Sequence, residues 1–172
     1  MITKEIIQEF KEQILHRMDE SSRMIGLSLE KVSEEDIWRR PTETSNSIGN
    51  LILHLCGNIT QYTIASLGDQ ADTRQRDLEF QAKDGLKKEE LLNMLDKVVG
   101  EAKETIQQAP FEELMRKREV QGFNFSGIGI MIHVTEHYSY HTGQIAFWVK
   151  QLKNKKDLGF YDGIDLNIKN QD

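Results

Sequence analysis

A chain of 172 residues is long enough for one domain that buries about two-thirds of the surface its unfolded form exposes. With 28 acidic against 22 basic residues, a formal net charge of -6 and no Lys/Arg run, the chain lacks the basic surface of a nucleic-acid-binding protein. Two prolines and 12 glycines leave little material for the many turns of an all-β fold, so the composition favours helices.

Three features of the sequence predict a cytoplasmic protein. Cys56 is the single cysteine, so no disulfide forms within the chain, which suits a reducing compartment. Acidic residues stand among the first ten positions, where a signal peptide would need an apolar core. No stretch approaches the roughly 20 apolar residues of a membrane span. We therefore expect neither a membrane nor a nucleic acid as a partner.

Four segments have the apolar spacing of long amphipathic helices. They cover approximately residues 3–30, 47–67, 87–108 and 126–152. After the first helix, Ser33 and the three acidic residues that follow it predict a short, capped helical turn. Pro41 then ends the helical pattern, because the residue before a proline avoids the helical conformation.

The connections between these helices differ in length and character. Residues 69–85 form a long polar connection with room for one helical turn, as an end-to-end crossover needs. For its residues 74–80 we expect a solvated surface loop, with a segment folded over a pocket between the helices as the alternative. Residues 111–125 are ambiguous, and within them residues 120–125 alternate like a short extended piece. The sequence thus predicts an all-α fold: a four-helix bundle over residues 1–153 with a long crossover between helices 2 and 3. A tail rich in Lys, Asn and Asp follows at residues 154–172.

The fourth helix carries three histidines at four-residue intervals: His133, His137 and His141. A four-residue step turns only about 40° around a helix, so His137 and His141 share one face. A helix supplies two ligands to one metal ion in this way. Gln144 falls on the same stripe, where it would orient a ligand or contact a substrate. Histidines that are hydrogen-bonded within a core would give the same pattern, so both interpretations stay open.

The second helix offers a candidate third ligand, His54. It lies in an otherwise apolar segment and is flanked four residues away on each side by Asn50 and Asn58. Asn58 shares the face of His54, where, like Gln144, it would orient a ligand or contact a substrate. A buried polar group needs partners, and either a shared metal ion or a hydrogen bond would provide them. Cys56 lies about 200° around the helix from His54, so we expect a small core residue that points away. His16, in the first helix, is assigned no function.

A longer pattern joins these histidines to other residues. It comprises Trp38, Pro41, Ser45-Asn46-Ser47-Ile48-Gly49-Asn50-Leu51, His54-Leu55, Gly57-Asn58, His137 and His141-Thr142-Gly143-Gln144-Ile145. This pattern resembles the DinB-like superfamily of small metal-binding four-helix bundles, which includes bacillithiol S-transferases. The resemblance implies that His54, His137 and His141 bind a divalent ion, most often zinc or nickel. His133 is not a usual ligand in that family and is either a neighbour of the ligands or a core histidine.

The resemblance also implies a function. Three neutral imidazoles leave a fourth coordination position open to water or substrate. One class of function is a metal-dependent enzyme that transfers a low-molecular-weight thiol or hydrolyses a small substrate; the other is a non-catalytic metal-binding or stress-associated protein. No acid or base is evident beside the histidines, so catalytic residues are not assigned, and Thr142 stands where many relatives have an arginine. Family members often pair, so a homodimer is expected without a defined interface.

Overall fold

A computed structural model describes residues 2–170, most of which are helical. The helices are α1 (Ile2–Glu30), α2 (Glu34–Ile37), α3 (Ile48–Ile59), α4 (Arg76–Gln81), α5 (Lys88–Gln108), α6 (Phe111–Met115) and α7 (Gly127–Lys153). A π-helical segment, Thr60–Leu67, continues α3 without a break. The four long predicted helices are confirmed, with ends within a residue or two of the expected positions, and α2 and α4 are the two predicted short turns.

A small antiparallel sheet corrects the expectation of an all-α fold. Strands β1 (Lys117–Val120) and β2 (Phe123–Ser126) pair with Lys117 opposite Ser126 and Val120 opposite Phe123. Two residues connect them, Gln121 and Gly122, and both have positive φ angles, of 51° and 79°. Such a two-residue turn matches the twist of paired strands and closes a tight hairpin. The predicted extended piece, residues 120–125, therefore contains the turn and most of β2, and β1 lies almost entirely in the ambiguous segment before it.

The long helical segments share one apolar core. Helix α1 packs on α5 and α7, and α3 packs on the same two helices. Because apolar residues recur every three or four positions, each helix turns one stripe inward. Completely buried members of this stripe include Met18 and Ile25 of α1, Ile52 and Leu55 of α3, Leu91 of α5 and Val134 of α7. Each such side chain stabilises the fold by about 1.5–3 kcal/mol relative to an exposed position.

Serine caps set where the two histidine-bearing helices begin. The Ser47 side chain accepts a hydrogen bond from the Asn50 backbone amide at 3.1 Å, and the Asn50 side chain accepts one from the Ser47 amide in return. Ser126 caps α7 in the same manner by accepting from the Gly129 amide. Each cap satisfies backbone donors that a helix leaves free at its first turn. The caps therefore fix the residues at which these two helices begin, and with them the helix faces on which His54 and the three histidines of α7 lie.

Two further observations concern the whole described chain. Within residues 2–170, no helix combines the length and the apolarity that a membrane span requires. The segment after α7 lies against α1, because Leu158 is buried and the Arg23 guanidinium donates to the Phe160 carbonyl at 3.0 Å. The last two residues of the predicted tail, 171 and 172, and the first residue of the predicted bundle lie outside the described residues.

Candidate metal centre

Three histidines from two helices converge at one point in the interior. His137 Nε2 lies 3.2 Å from His54 Nε2 and 3.2 Å from His141 Nε2. The ring nitrogens that all three residues offer to a metal lie within 4.8 Å of one another. His54 and His141 are buried and His137 is half-buried. The structure thus brings together the three residues that were predicted from the sequence as metal ligands.

His54 is held by a buried carboxylate. Its Nδ1–H donates to Glu79 Oε2 at 2.9 Å. Arg74 donates to the same carboxylate twice, from Nε to Oε1 at 2.7 Å and from Nη2 to Oε2 at 2.8 Å. Burial by itself raises the pKa of Glu79, but the hydrogen bonds from Arg74 and His54 outweigh it and lower the pKa below its usual value. Glu79 is therefore an ionised acceptor. Arg74 Nη2 also lies 3.1 Å from His54 Nδ1, but the carboxylate is the acceptor at that nitrogen and favours the tautomer with the proton on Nδ1 and Nε2 free.

His141 is oriented from within its own helix. Its Nδ1–H donates to Gln144 Oε1 at 2.7 Å, one turn further along α7. Burial lowers the pKa of His141, and the hydrogen bond to Gln144 only partly opposes that effect. The ring is thus neutral at pH 7, with its proton on Nδ1 and the lone pair of Nε2 directed at the other two histidines.

His137 completes the cluster between these two rings. Burial, followed by repulsion from the neighbouring histidines, lowers the pKa of His137 to about 3. The His133 ring stacks against it, with centroids 5.6 Å apart and an interplanar angle of 29°. In the described part of the chain, His137 Nδ1 is buried without a hydrogen-bond partner. His137 is therefore a neutral imidazole whose orientation comes from packing rather than from a hydrogen-bonded acceptor.

The donor set fits a divalent metal ion. A tetrahedral zinc ion with Zn–N distances of about 2.0–2.1 Å separates two ligand nitrogens by about 3.3 Å. The observed separations of 3.2 Å agree with that value. Two hydrogen bonds do not explain them, because His54 and His141 carry their protons on Nδ1 and His137 Nε2 carries at most one proton. Three ring nitrogens that face one another in this way could hold a metal ion.

The carboxylate reaches His54 because polar residues dock the crossover onto α3. Asn50 donates from Nδ2 to the backbone carbonyls of Glu79 and Ala82, at 2.8 and 2.7 Å. Arg40 donates to the Phe80 carbonyl at 3.0 Å. A Cβ at Gly57 would lie 2.0 Å from Glu79 Oε1, so only glycine leaves room for the carboxylate at this point of α3. Asn50 and Gly57 belong to the longer pattern described in the sequence, and their packing explains why one position is polar and the other is glycine.

The remaining predicted residues have different surroundings. Gln144 contacts His141 as described above. His133 stacks on the Tyr62 ring at 4.2 Å and lies outside the group of nitrogens that face one another. Asn58 is buried, and within residues 2–170 its Oδ1 has no hydrogen-bond partner, so no bond from this atom joins it to a ligand. Cys56 is a core residue as predicted, and burial raises the pKa of its thiol to about 12.

Sequence reasoning missed Glu79 and Arg74. Both lie in the polar connection 69–85, which was expected to be a solvated surface loop. Locally, Glu79 resembles the other acidic residues there, and its contact with His54 joins positions 25 residues apart. The available signal was Gly57, since a glycine inside an apolar helix often marks a close approach.

The mostly helical fold of the chain is DinB-like. The chain is similar to the crystal structure of a DinB-like protein, YjoA, from Bacillus subtilis, with a TM-score of 0.64 and 18% identity over 84% of this chain and 94% of that chain. It is also similar to a conserved protein from Enterococcus faecalis, with a TM-score of 0.71 and 13% identity over 84% and 97% of the two chains. At these identities the likeness establishes the fold alone.

The family model described as "Protein of unknown function (DUF1572)" matches residues 5–159. The chain belongs to this family, which is DinB-like, and the resemblance seen in the sequence is confirmed. No curated protein sequence matches the chain.

Proposed function

We propose that this protein is a four-helix-bundle metalloprotein that binds one divalent ion, zinc or nickel, through His54, His137 and His141. The convergence of the three Nε2 atoms, with separations of 3.2 Å about His137, is the observation that carries the proposal. Two of the three ligands, His137 and His141, are neutral, as metal binding requires, because burial lowers the pKa of each. Glu79 and Gln144 support the site by holding two of the rings in the ligand tautomer.

We further propose that the centre is catalytic and transfers a low-molecular-weight thiol to a small electrophile. When bound, an ion with three imidazole ligands supplies a positive charge and an open position that favour the thiolate over the thiol at neutral pH. In the transfer, the thiol proton leaves to solvent, the sulfur lone pair forms a bond to an electrophilic carbon, and the bond from that carbon to its leaving group breaks. The leaving group departs with the electron pair. Hydrolysis of a small substrate at the same site is the related alternative.

A second candidate, a non-catalytic metal-binding or stress-associated protein, is favoured by one observation. The carboxylate that contacts the cluster, Glu79, already accepts hydrogen bonds from His54 and Arg74. It is therefore not free to move a proton during a reaction. In this case the ion would stabilise the fold or report metal availability.

Two further expectations are carried forward as proposals. The single cysteine, Cys56, supports a cytoplasmic location, because a reducing compartment suits a chain without disulfides. The family resemblance supports a homodimer, although no interface is assigned.

The first experiment measures the metal content of untagged protein by inductively coupled plasma mass spectrometry. We expect about one zinc or nickel ion per chain. The ion should be lost in His54→Ala, because two remaining protein ligands hold it too weakly. His16→Ala is the matched control because His16 is exposed on α1 and should leave the content unchanged. Wild-type protein that is metal-free and resists reconstitution would overturn the proposed centre.

The second experiment separates the enzyme from the non-catalytic protein. Metal-loaded protein is assayed with a chloronitrobenzene as the electrophile and a panel of low-molecular-weight thiols that includes bacillithiol. Thioether formation that stops in His54→Ala and on chelation, and returns with added metal, is the expected result. Protein that binds its ion but accelerates no reaction in this panel would support the second candidate.

A further inference from the structure

An open pocket lies between α7 and the segment that leads into α3. Its volume is about 480 Å³, within the range of small-molecule sites. Most of its wall is apolar or aromatic and comes from Leu51, Tyr140, Phe147, Trp148 and Pro41. We call this cavity the Trp148 pocket.

The Trp148 pocket shares residues with the surroundings of the metal centre. Gln144 lines the pocket and also accepts the hydrogen bond from His141 Nδ1. Tyr140 lines it too, and its ring lies 4.9 Å from that of His141 in an edge-to-face arrangement. Both residues, together with Trp148, fall on one stripe of α7 because they are four residues apart. A molecule in the pocket would therefore touch side chains that contact a proposed ligand.

The lining of the pocket carries no formal charge. Among the described residues, no Lys, Arg, Asp or Glu lines it. Its polar groups are the Ser45 and Tyr140 hydroxyls, the Asn46 and Gln144 amides and the Trp148 indole. In the neighbouring Arg40, the Nη2 nitrogen donates to Asn50 Oδ1 and to the Phe80 and Ala82 carbonyls, so this nitrogen is directed at α3 and the crossover. Moving a carboxylate or phosphate from water into such surroundings is costly without a cationic partner. The chemistry of the wall thus favours an uncharged ligand.

The aromatic side chains of the pocket are unusually exposed. Tyr140 is 61% exposed and Phe147 is 65% exposed. Pro41 and Gly143 of the wall are exposed as well, whereas Gln144 and Trp148 are half-buried and Leu51 is buried. Trp148 is held in place because its Nε1 donates to the Arg39 carbonyl at 3.1 Å. Adjacent exposed aromatic surfaces mark binding sites, and aromatic rings prefer offset or edge-to-face contacts with another ring.

We propose that the Trp148 pocket binds an uncharged molecule with an aromatic ring. Its role as the electrophile of the thiol transfer rests on the proposed function, whereas the binding itself does not. A flat, neutral ring would cover Tyr140 and Phe147 and bring its reactive carbon beside Gln144 and the histidine cluster. The pocket thereby selects the class of substrate by charge as well as by shape.

The test uses the indole signals of full-length, ¹⁵N-labelled protein. The chain has two tryptophans. Trp148 lines the pocket, whereas Trp38 donates to the Leu86 carbonyl elsewhere and serves as an internal reference. The probes are 2-naphthol, which is uncharged at pH 7, and 2-naphthoate, which has the same rings and a negative charge. We expect a saturable shift of the Trp148 signal with 2-naphthol, at least about tenfold weaker binding of 2-naphthoate, and an unmoved Trp38 signal.

A matched pair of glycine variants locates the binding. Gly143 lines the pocket, and a Cβ at this position would meet nothing within 4 Å, so Gly143→Leu places a side chain in the pocket without a clash. Gly100→Leu is the control, because Gly100 is also helical with open space beside it but does not line the pocket. We expect Gly143→Leu to weaken 2-naphthol binding at least about tenfold with unchanged metal content, and Gly100→Leu to leave both unchanged.

The outcomes distinguish this inference from the proposed function. A Trp148 signal that 2-naphthol does not move, equal affinity for 2-naphthoate, or unaltered binding in Gly143→Leu would overturn the inference, even in a protein that holds its metal and turns over a substrate. Conversely, selective binding of 2-naphthol by a protein that binds no metal would support the inference about the Trp148 pocket and contradict the proposed metal centre.

Discussion

The Glu79 carboxylate is predicted to control the metal affinity of a site that it does not enter. Its Oε2 accepts from His54 Nδ1 at 2.9 Å, and both of its oxygens accept from Arg74. In Glu79→Gln, the amide presents one oxygen and one NH₂ group to these two donors. Whichever way the amide turns, a donor then faces either His54 or Arg74. Arg74 loses its charge partner in either orientation, and in one of them His54 also loses the acceptor that fixes its tautomer.

The size of the effect follows from these contacts. Loss of a residue that orients a histidine ligand lowers metal affinity about 10- to 100-fold, equivalent to about 1.4–2.7 kcal/mol. Stability should fall as well, because the Arg74 side chain is only 3% exposed and breaking a buried ion pair costs about 3–5 kcal/mol. Glutamine keeps one acceptor oxygen, so we expect the loss of stability to lie near the lower end of this range of about 3–5 kcal/mol.

The assay is competition for zinc with a chromogenic chelator, with the free energy of unfolding of the metal-free protein measured in parallel. Glu113→Gln is the matched control, because Glu113 is also paired with arginines, Arg116 and Arg118, but touches no histidine. We expect the control to retain wild-type affinity. Folded Glu79→Gln protein with wild-type zinc affinity would refute the conclusion that the Glu79 carboxylate controls the metal affinity of the site.

Two other predictions follow from the structure. Gly57→Ala puts a methyl group 2.0 Å from Glu79 Oε1, so the same chelator competition should show weaker zinc binding, with about 1–3 kcal/mol of lost stability. Gly100→Ala, where a Cβ meets open space, should instead gain up to about 1 kcal/mol, and equal behaviour of the two variants would contradict the steric argument. For Asp36, the hydrogen bond from Lys153 outweighs burial and, with those from Ser33, lowers the pKa to about 2. Because this folded-state pKa lies below the unfolded value, the stabilisation is full above about pH 4 and disappears as the pH falls through 2. Urea titrations from pH 7 to 2 should show Asp36→Asn about 1 kcal/mol less stable at pH 7, with the difference shrinking in acid; a pH-independent difference would count against the assignment.

The sequence predicted the long helices well for a local reason. Apolar residues that recur every three or four positions leave a helix one way to bury them, and Ser47 and Ser126 mark the starts of the two histidine-bearing helices. The hairpin was harder to predict. Its strands have four residues each, and the ambiguous segment 111–125 contains a helical turn as well as most of the hairpin. Periodicity does not separate such short elements.

The histidine cluster was predictable in part. The four-residue spacing of His137 and His141 places them on one face of any helix, and the polar line through Asn50 and His54 indicates a second helix face that needs partners. That these two faces meet depends on how α3 and α7 pack, which no local pattern contains. The family resemblance supplied this pairing.

Local chemistry along the chain was enough to specify the helices, their caps and which histidines share a face, because these properties depend on residues within one or two turns. The residues that surround the histidines depend on the tertiary structure. Glu79 and Arg74 reach His54 only because Asn50 and Arg40 dock the crossover by its backbone carbonyls, and because Gly57 leaves space for a carboxylate. The Trp148 pocket likewise joins α7 to residues about 100 positions earlier. Contacts between residues so far apart in the chain depend on how whole helices pack, and the spacing of residues along the sequence does not determine that packing.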